Sequence, residues 1–236
     1  MNKIDAIRLT LTVISGICWT VVYLDGIRLG FKHRSYAIPF FALALNISWE
    51  LLYTYHGFRT AFGVQTLVNL VWLLLDIGIL VTYFKFGRRY FQWSYPPKAA
   101  TDSDTITSST DPSKWFIPWS VLVLLVAFCV EFAFTREFRV TVAAGYSAFL
   151  QNLLMSVLFI GMLVRRGSRE GQSLTIAVSK WLGTLAPTIL FGVVGDAGFP
   201  SGSFLILSVG LLCSVFDLIY IWLLTSYFRT TSVSLA

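Results

Sequence analysis

Seven apolar stretches of ~20 residues divide this chain, and that is the length an α-helix needs to cross a bilayer. They lie at about 8–29, 37–58, 64–86, 116–134, 141–164, 174–195 and 202–227. Lipid leaves no partner for free backbone N–H and C=O groups, so a spanning segment must be a helix or part of a closed barrel. Barrel strands are only about half as long as these runs. The expectation is an all-α polytopic membrane protein: one seven-transmembrane-helix bundle in a single domain, 1–236. Composition agrees. Only 13% of residues are charged, about half the share in soluble domains, and mean hydropathy is +0.72.

The connections are short except for a polar loop over 87–115. It holds Ser94-Tyr95-Pro96-Pro97 and a Ser/Thr/Asp tract from Thr101 to Ser113, a composition that builds no core. Of the lysines and arginines, 13 fall on the side of the first, third and fifth connections and the C-terminal tail, and 5 on the other. Lys180 is counted with the larger group. Positive charge accumulates on the cytosolic side, so the N-terminus is expected lumenal or outside and the C-terminus cytosolic. The net charge of +6 reports these loops and implies no nucleic-acid partner. Tyr36, Tyr90, Trp93, Trp115, Trp119 and Tyr227 sit where interfacial belts occur. The first apolar run lacks a small-residue cleavage site and reads as a retained helix. Cys18, Cys129 and Cys213 all lie inside apolar runs, which argues against a disulfide framework. His33 and His56 have no partner at metal-ligand spacing. No internal repeat is visible. Asn46-Ile47-Ser48 matches a glycosylation sequon but lies inside a span.

Three acids sit deep in these spans: Glu50, Asp76 and Asp217. A carboxylate at bilayer depth costs a few kcal/mol on insertion scales, so an intramembrane acid marks a functional site by default. Helical spacing places Asn46, Glu50 and Tyr53 on one face of the second span, with Trp49 about 100° away. Asn69, Trp72 and Asp76 share a face of the third. Cys213 or Ser214, Asp217 and Tyr220 share one of the seventh. At ~1.5 Å per residue the acids lie roughly 12, 18 and 22 Å from the lumenal end, close enough in depth to meet in one cavity. Glu131 lies nearer the lumenal end of the fourth span, and Asp25 and Asp196 lie near interfaces. A carboxylic acid kept neutral in apolar surroundings can donate a proton, and aromatic faces attract a cation that forms afterwards. An acid in a dry aromatic pocket suits proton-initiated carbocation chemistry.

The segments Asn46-Ile47-Ser48-Trp49-Glu50 and Trp72-Leu73-Leu74-Leu75-Asp76, with Asp217 in the last of seven spans, resemble the integral-membrane terpene cyclases of fungal meroterpenoid and indole-diterpene biosynthesis. The likeness covers nearly the whole chain. It implies an acid-initiated cyclase of isomerase or lyase type in the endoplasmic reticulum membrane, acting on the terminal epoxide of a farnesyl-type prenylated aromatic or polyketide. An upstream prenyltransferase and epoxidase would supply that substrate, and no metal or organic cofactor is implied. By the same resemblance Glu50 is the general acid, and Asp217 shares or relays its proton or hydrogen-bonds the epoxide. Asp76 is the weaker third member. Asn46, Trp49, Tyr53, Asn69, Trp72 and Tyr220 are expected to contact substrate, with Tyr23 and Phe216 as further lining candidates. The chain lacks the Asp-Asp-x-x-Asp motif that holds Mg²⁺ around a diphosphate. A proton-coupled small-molecule transporter is the alternative, since intramembrane acids occur there too. The lack of a repeat or of paired broken helices counts against it. A seven-helix receptor is a second rival, and it would often carry an extracellular disulfide. A retinal protein is set aside because the seventh span has no lysine and Lys180 reads as near the cytosolic end of the sixth.

Overall fold

The computed structural model describes residues 2–60, 62–91 and 112–233, with side chains up to 226. Trp93, Lys98, most of the polar loop, and the side chains of Tyr227 and Arg229 lie outside the described residues. Among the described residues there are seven α-helices: α1 (Lys3–Lys32), α2 (Phe40–Thr60), α3 (Val64–Phe86), α4 (Phe116–Glu137), α5 (Val140–Arg166), α6 (Leu174–Ile189) and α7 (Phe204–Val233). Short 3₁₀ turns at Gly87–Tyr90 and Pro112–Trp115 follow α3 and precede α4. Six of the helices are long and apolar enough to cross a membrane. The exception is α2, whose 21 residues include Asn46, Ser48, Glu50, Tyr53 and His56. Its polarity is that of a helix lined for a site. The outward surface of the bundle is apolar, with Leu74, Leu125, Val164 and Trp222 exposed, as lipid contact requires.

Two helix ends differ from the sequence expectation for local reasons. α1 starts at Lys3 because Asn2 caps it, its side chain accepting from Asp5 N at 2.8 Å. Pro187 lies inside α6 and cannot donate to the carbonyl of Gly183. That carbonyl instead accepts from Ser15 Oγ on α1 at 2.8 Å. Beyond Pro187 the helix widens into a π turn, Leu190–Val194, closed by Gly195 at φ +79°.

The neighbour pattern contains a repeat that the sequence conceals. α3 packs against both α1 and α2, and α7 against both α5 and α6. Each half is thus a three-helix unit with its third helix in the middle. The units meet through α1 on α6 and α2 on α5, the pairings that a twofold exchange of the units would interconvert. α4 stands apart against α2 and α5. The connections after α1 and α5 have equal length, 33–39 and 167–173, and they interlock. Gly171 N donates to His33 Nδ1 at 3.1 Å, and Arg166 donates to the Tyr36 carbonyl at 3.0 Å. At the same end Ser173 Oγ donates to Asp25, which also pairs with Arg28. The two units share a pattern of neighbours rather than residues, so comparing one sequence with itself does not reveal it.

Candidate active site

The first unit gathers a polar group from all three of its helices. Tyr23 on α1 donates through its hydroxyl to Glu50 Oε1 on α2 at 3.1 Å. Asn46, one turn before Glu50, donates to the Tyr23 oxygen at 3.2 Å. Asp76 on α3 lies beside Asn46, close to both Glu50 and Tyr23. All four residues are buried. Glu50 Oε2 has no hydrogen-bond partner among the described residues, and Asp76 has the Asn46 amide beside it. Burying a carboxyl oxygen unpaired is expensive. Trp19 and Trp72 frame the group, with ring centroids 5.8 and 6.2 Å from Tyr23. Trp72 is held by its indole N–H to Thr20 Oγ1 on α1 at 3.1 Å.

The second unit treats its acid differently. Asp217 on α7 binds Lys180 on α6 through both oxygens, at 2.8 and 3.0 Å. Lys180 also donates to Ser156 Oγ on α5 at 2.6 Å. Lys180 is 0% exposed and Asp217 1%. An ammonium group has three N–H bonds, and here each has an acceptor. Lys180, expected near the cytosolic end of its span, is therefore an interior residue. The correspondence between units is close. Asn46 and Lys180 stand at the same position from the starts of α2 and α6. Asp76 and Asp217 match within one position in α3 and α7. Tyr23 and Ser156 match within one position from the ends of α1 and α5. Each unit thus joins a hydroxyl, a nitrogen donor and an aspartate, and the nitrogen is neutral in the first and cationic in the second.

The three acids expected in one cavity fall into these two groups. Among the described residues no hydrogen bond or ion pair links them. The expected contact residues divide too. Asn46 and Trp72 belong to the first group. Asn69 accepts instead from Gln65 on its own helix at 2.8 Å. Tyr220 is buried against Phe159 at 5.3 Å, with its hydroxyl unpartnered. Phe216 is half-buried. Trp49 and Tyr53 turn toward α5, where Trp49 Nε1 donates to the Ala144 carbonyl at 3.1 Å and its ring lies 4.7 Å from Tyr53. Near Tyr53 lies Glu131 on α4, 1% exposed. The sequence shows this residue but gives no reason to select it. The three cysteines are free.

A profile of the Pyr4-like transmembrane terpene cyclases matches residues 1–230. Similar curated proteins carry cyclase names. The Pyr4-family terpene cyclase mfmH of Annulohypoxylon moriforme is 29% identical over 77% of this chain and 68% of its own. The terpene cyclase ascF of Acremonium egyptiacum is 26% identical over 72% of this chain and 61% of its own. The terpene cyclase pyr4 of Aspergillus fumigatus is 27% identical over 87% of this chain and 80% of its own. No solved structure matches.

Proposed function

We propose that this chain, which belongs to the Pyr4-like transmembrane terpene cyclases, protonates the terminal epoxide of a farnesyl-type prenylated aromatic or polyketide and so starts its cyclisation. The observation that carries this reading is Glu50, buried beside Asp76 with Oε2 unpartnered among the described residues. Tyr23 donates to Oε1, which leaves Oε2 as the oxygen that carries a proton. Two carboxyls side by side and away from water hold a proton between them, because ionising both would set like charges together. Glu50 delivers that proton to the epoxide oxygen. The C–O bond breaks toward the more substituted carbon, and the chain's double bonds close on the cation in turn. Trp19, Tyr23 and Trp72 present ring faces to the positive charge as it forms. Protonation alone begins the reaction, so the reading calls for no metal or organic cofactor, and the isomer keeps the mass of its substrate. An apolar substrate reaches such a site from the bilayer, here that of the endoplasmic reticulum. A prenyl transfer and an olefin epoxidation must precede this step.

Asp217 takes a positioning role in this proposal. Its oxygens hold Lys180, and the pair ties α7 to α6 and α5. The family match favours the cyclase over a transporter. The test is conversion of a panel of epoxyfarnesyl aromatics by membranes carrying wild type or Glu50→Gln. Cyclised isomers of unchanged mass from wild type alone are expected. Equal conversion by a well-expressed Glu50→Gln contradicts the assignment.

A further inference from the structure

A second group of buried polar atoms lies where α2, α4 and α5 meet. Glu131 on α4 is 1% exposed and its Oε2 has no partner. Ser147 on α5 lies beside it, as does Tyr53 on α2. Ser147 interacts with both Glu131 and Tyr53. Native interiors pair nearly all their buried polar atoms, so a buried acid with Oε2 left open at this helix junction marks a place that receives something polar or charged. Nothing in the initiating step uses Glu131.

Position suggests its use. Tyr53 follows Glu50 by less than one helical turn, roughly 4.5 Å along α2. Trp49, the residue before Glu50, packs on Tyr53 and is tied to α5 by its indole N–H. The Trp49 and Tyr53 rings thus lie on the side of α2 that meets α5, with Glu131 beside Tyr53. A polyene cyclisation that opens with proton donation must close with proton loss, and the base for that loss has to stand away from the initiating acid, where the last cation forms.

We propose that Glu131, held by Tyr53 and Ser147, is the base that ends the cyclisation; this rests on the acid-initiated reading above. In the closing step a C–H bond next to the final cation breaks. Its electron pair becomes the new C=C bond, and the proton goes to a Glu131 carboxylate oxygen. The proton given by Glu50 remains in the product as the hydroxyl formed from the epoxide. The substrate is isomerised, and each acid is reset by proton exchange with water.

The experiment compares wild type, Glu131→Gln, Glu131→Asp and Glu50→Gln on one epoxyfarnesyl aromatic, following epoxide loss and product identity separately. Glu131→Gln should still open the epoxide, while the wild-type product falls about tenfold or more. Other alkene isomers or products one water heavier should replace it. Glu131→Asp should restore part of the wild-type product, which a merely structural role would not produce. Glu50→Gln should leave the epoxide intact. The inference is overturned if Glu131→Gln gives the wild-type product at the wild-type rate. It is also overturned if folded Glu131→Gln leaves the epoxide intact, as Glu50→Gln does, since Glu131 would then serve initiation. Wild type that converts nothing refutes the acid-initiated reading itself, and Glu131 as base falls with it.

Discussion

Asp76 and Asp217 occupy matching positions in two three-helix units, yet only one is answered by a cation. Asp217 has Lys180, and Lys180 has Ser156, so charge and hydrogen bonds close within the second unit. Asp76 has Asn46 at the corresponding place. Asn46 carries no charge and donates to Tyr23, and Glu50 adds a second acid. Among the described residues the first unit therefore keeps an open carboxyl oxygen, on Glu50, while both oxygens of Asp217 are taken up by Lys180. In the proposed reading the first unit serves reactivity and the second cohesion, and asparagine against lysine is one of the differences between them.

The largest expected effect comes from removing the open acid. Glu50→Gln keeps the side-chain volume and should cut cyclisation by about 10²–10⁴-fold, the usual worth of a positioned acid. Its unfolding temperature in detergent should stay near that of wild type. Lys180→Met should act the other way round, mainly on stability. It strands the Asp217 charge away from water, which costs about 3–5 kcal/mol, and denaturant unfolding would read this as a lowered midpoint. The smallest effect is expected from Tyr23→Phe. It removes the hydrogen bonds to Glu50 and from Asn46 and leaves the ring among Trp19 and Trp72, a change worth about 1–2 kcal/mol. Cyclisation should slow several-fold with folding intact.

Much of the architecture was legible because hydropathy fixes where helices can lie in lipid. The polarity of α2 did not hide it, since Asn46, Glu50 and Tyr53 fall at helical spacing within an otherwise apolar run. The same spacing found Glu50 and Asp76, whose burial needed no knowledge of partners. What spacing could not supply was which helix faces which. Asn46, Glu50 and Tyr53 share a face in projection, but α2 contacts α3, α4 and α5 at once. The first two therefore reach Tyr23, while Tyr53 reaches the Glu131 side. Lys180 was read as interfacial because a lysine six residues into a span ordinarily reaches out to the headgroups. Only the packing of α6 against α7 shows Asp217 waiting for it. The repeat escaped for a related reason, since equivalent positions hold tyrosine and serine or asparagine and lysine, and only the aspartates agree.

The most direct measurement is conversion of an epoxyfarnesyl aromatic by the double variant Lys180→Met/Asp217→Leu, set beside Glu50→Gln in the same membranes. Replacing both members of a buried ion pair by apolar residues of similar volume is commonly neutral or stabilising. If the second unit serves cohesion, the double variant folds and still forms the cyclised isomer, whereas Glu50→Gln forms none. A folded double variant that leaves the epoxide untouched, or a Glu50→Gln that cyclises it, would contradict the division of labour between the two units.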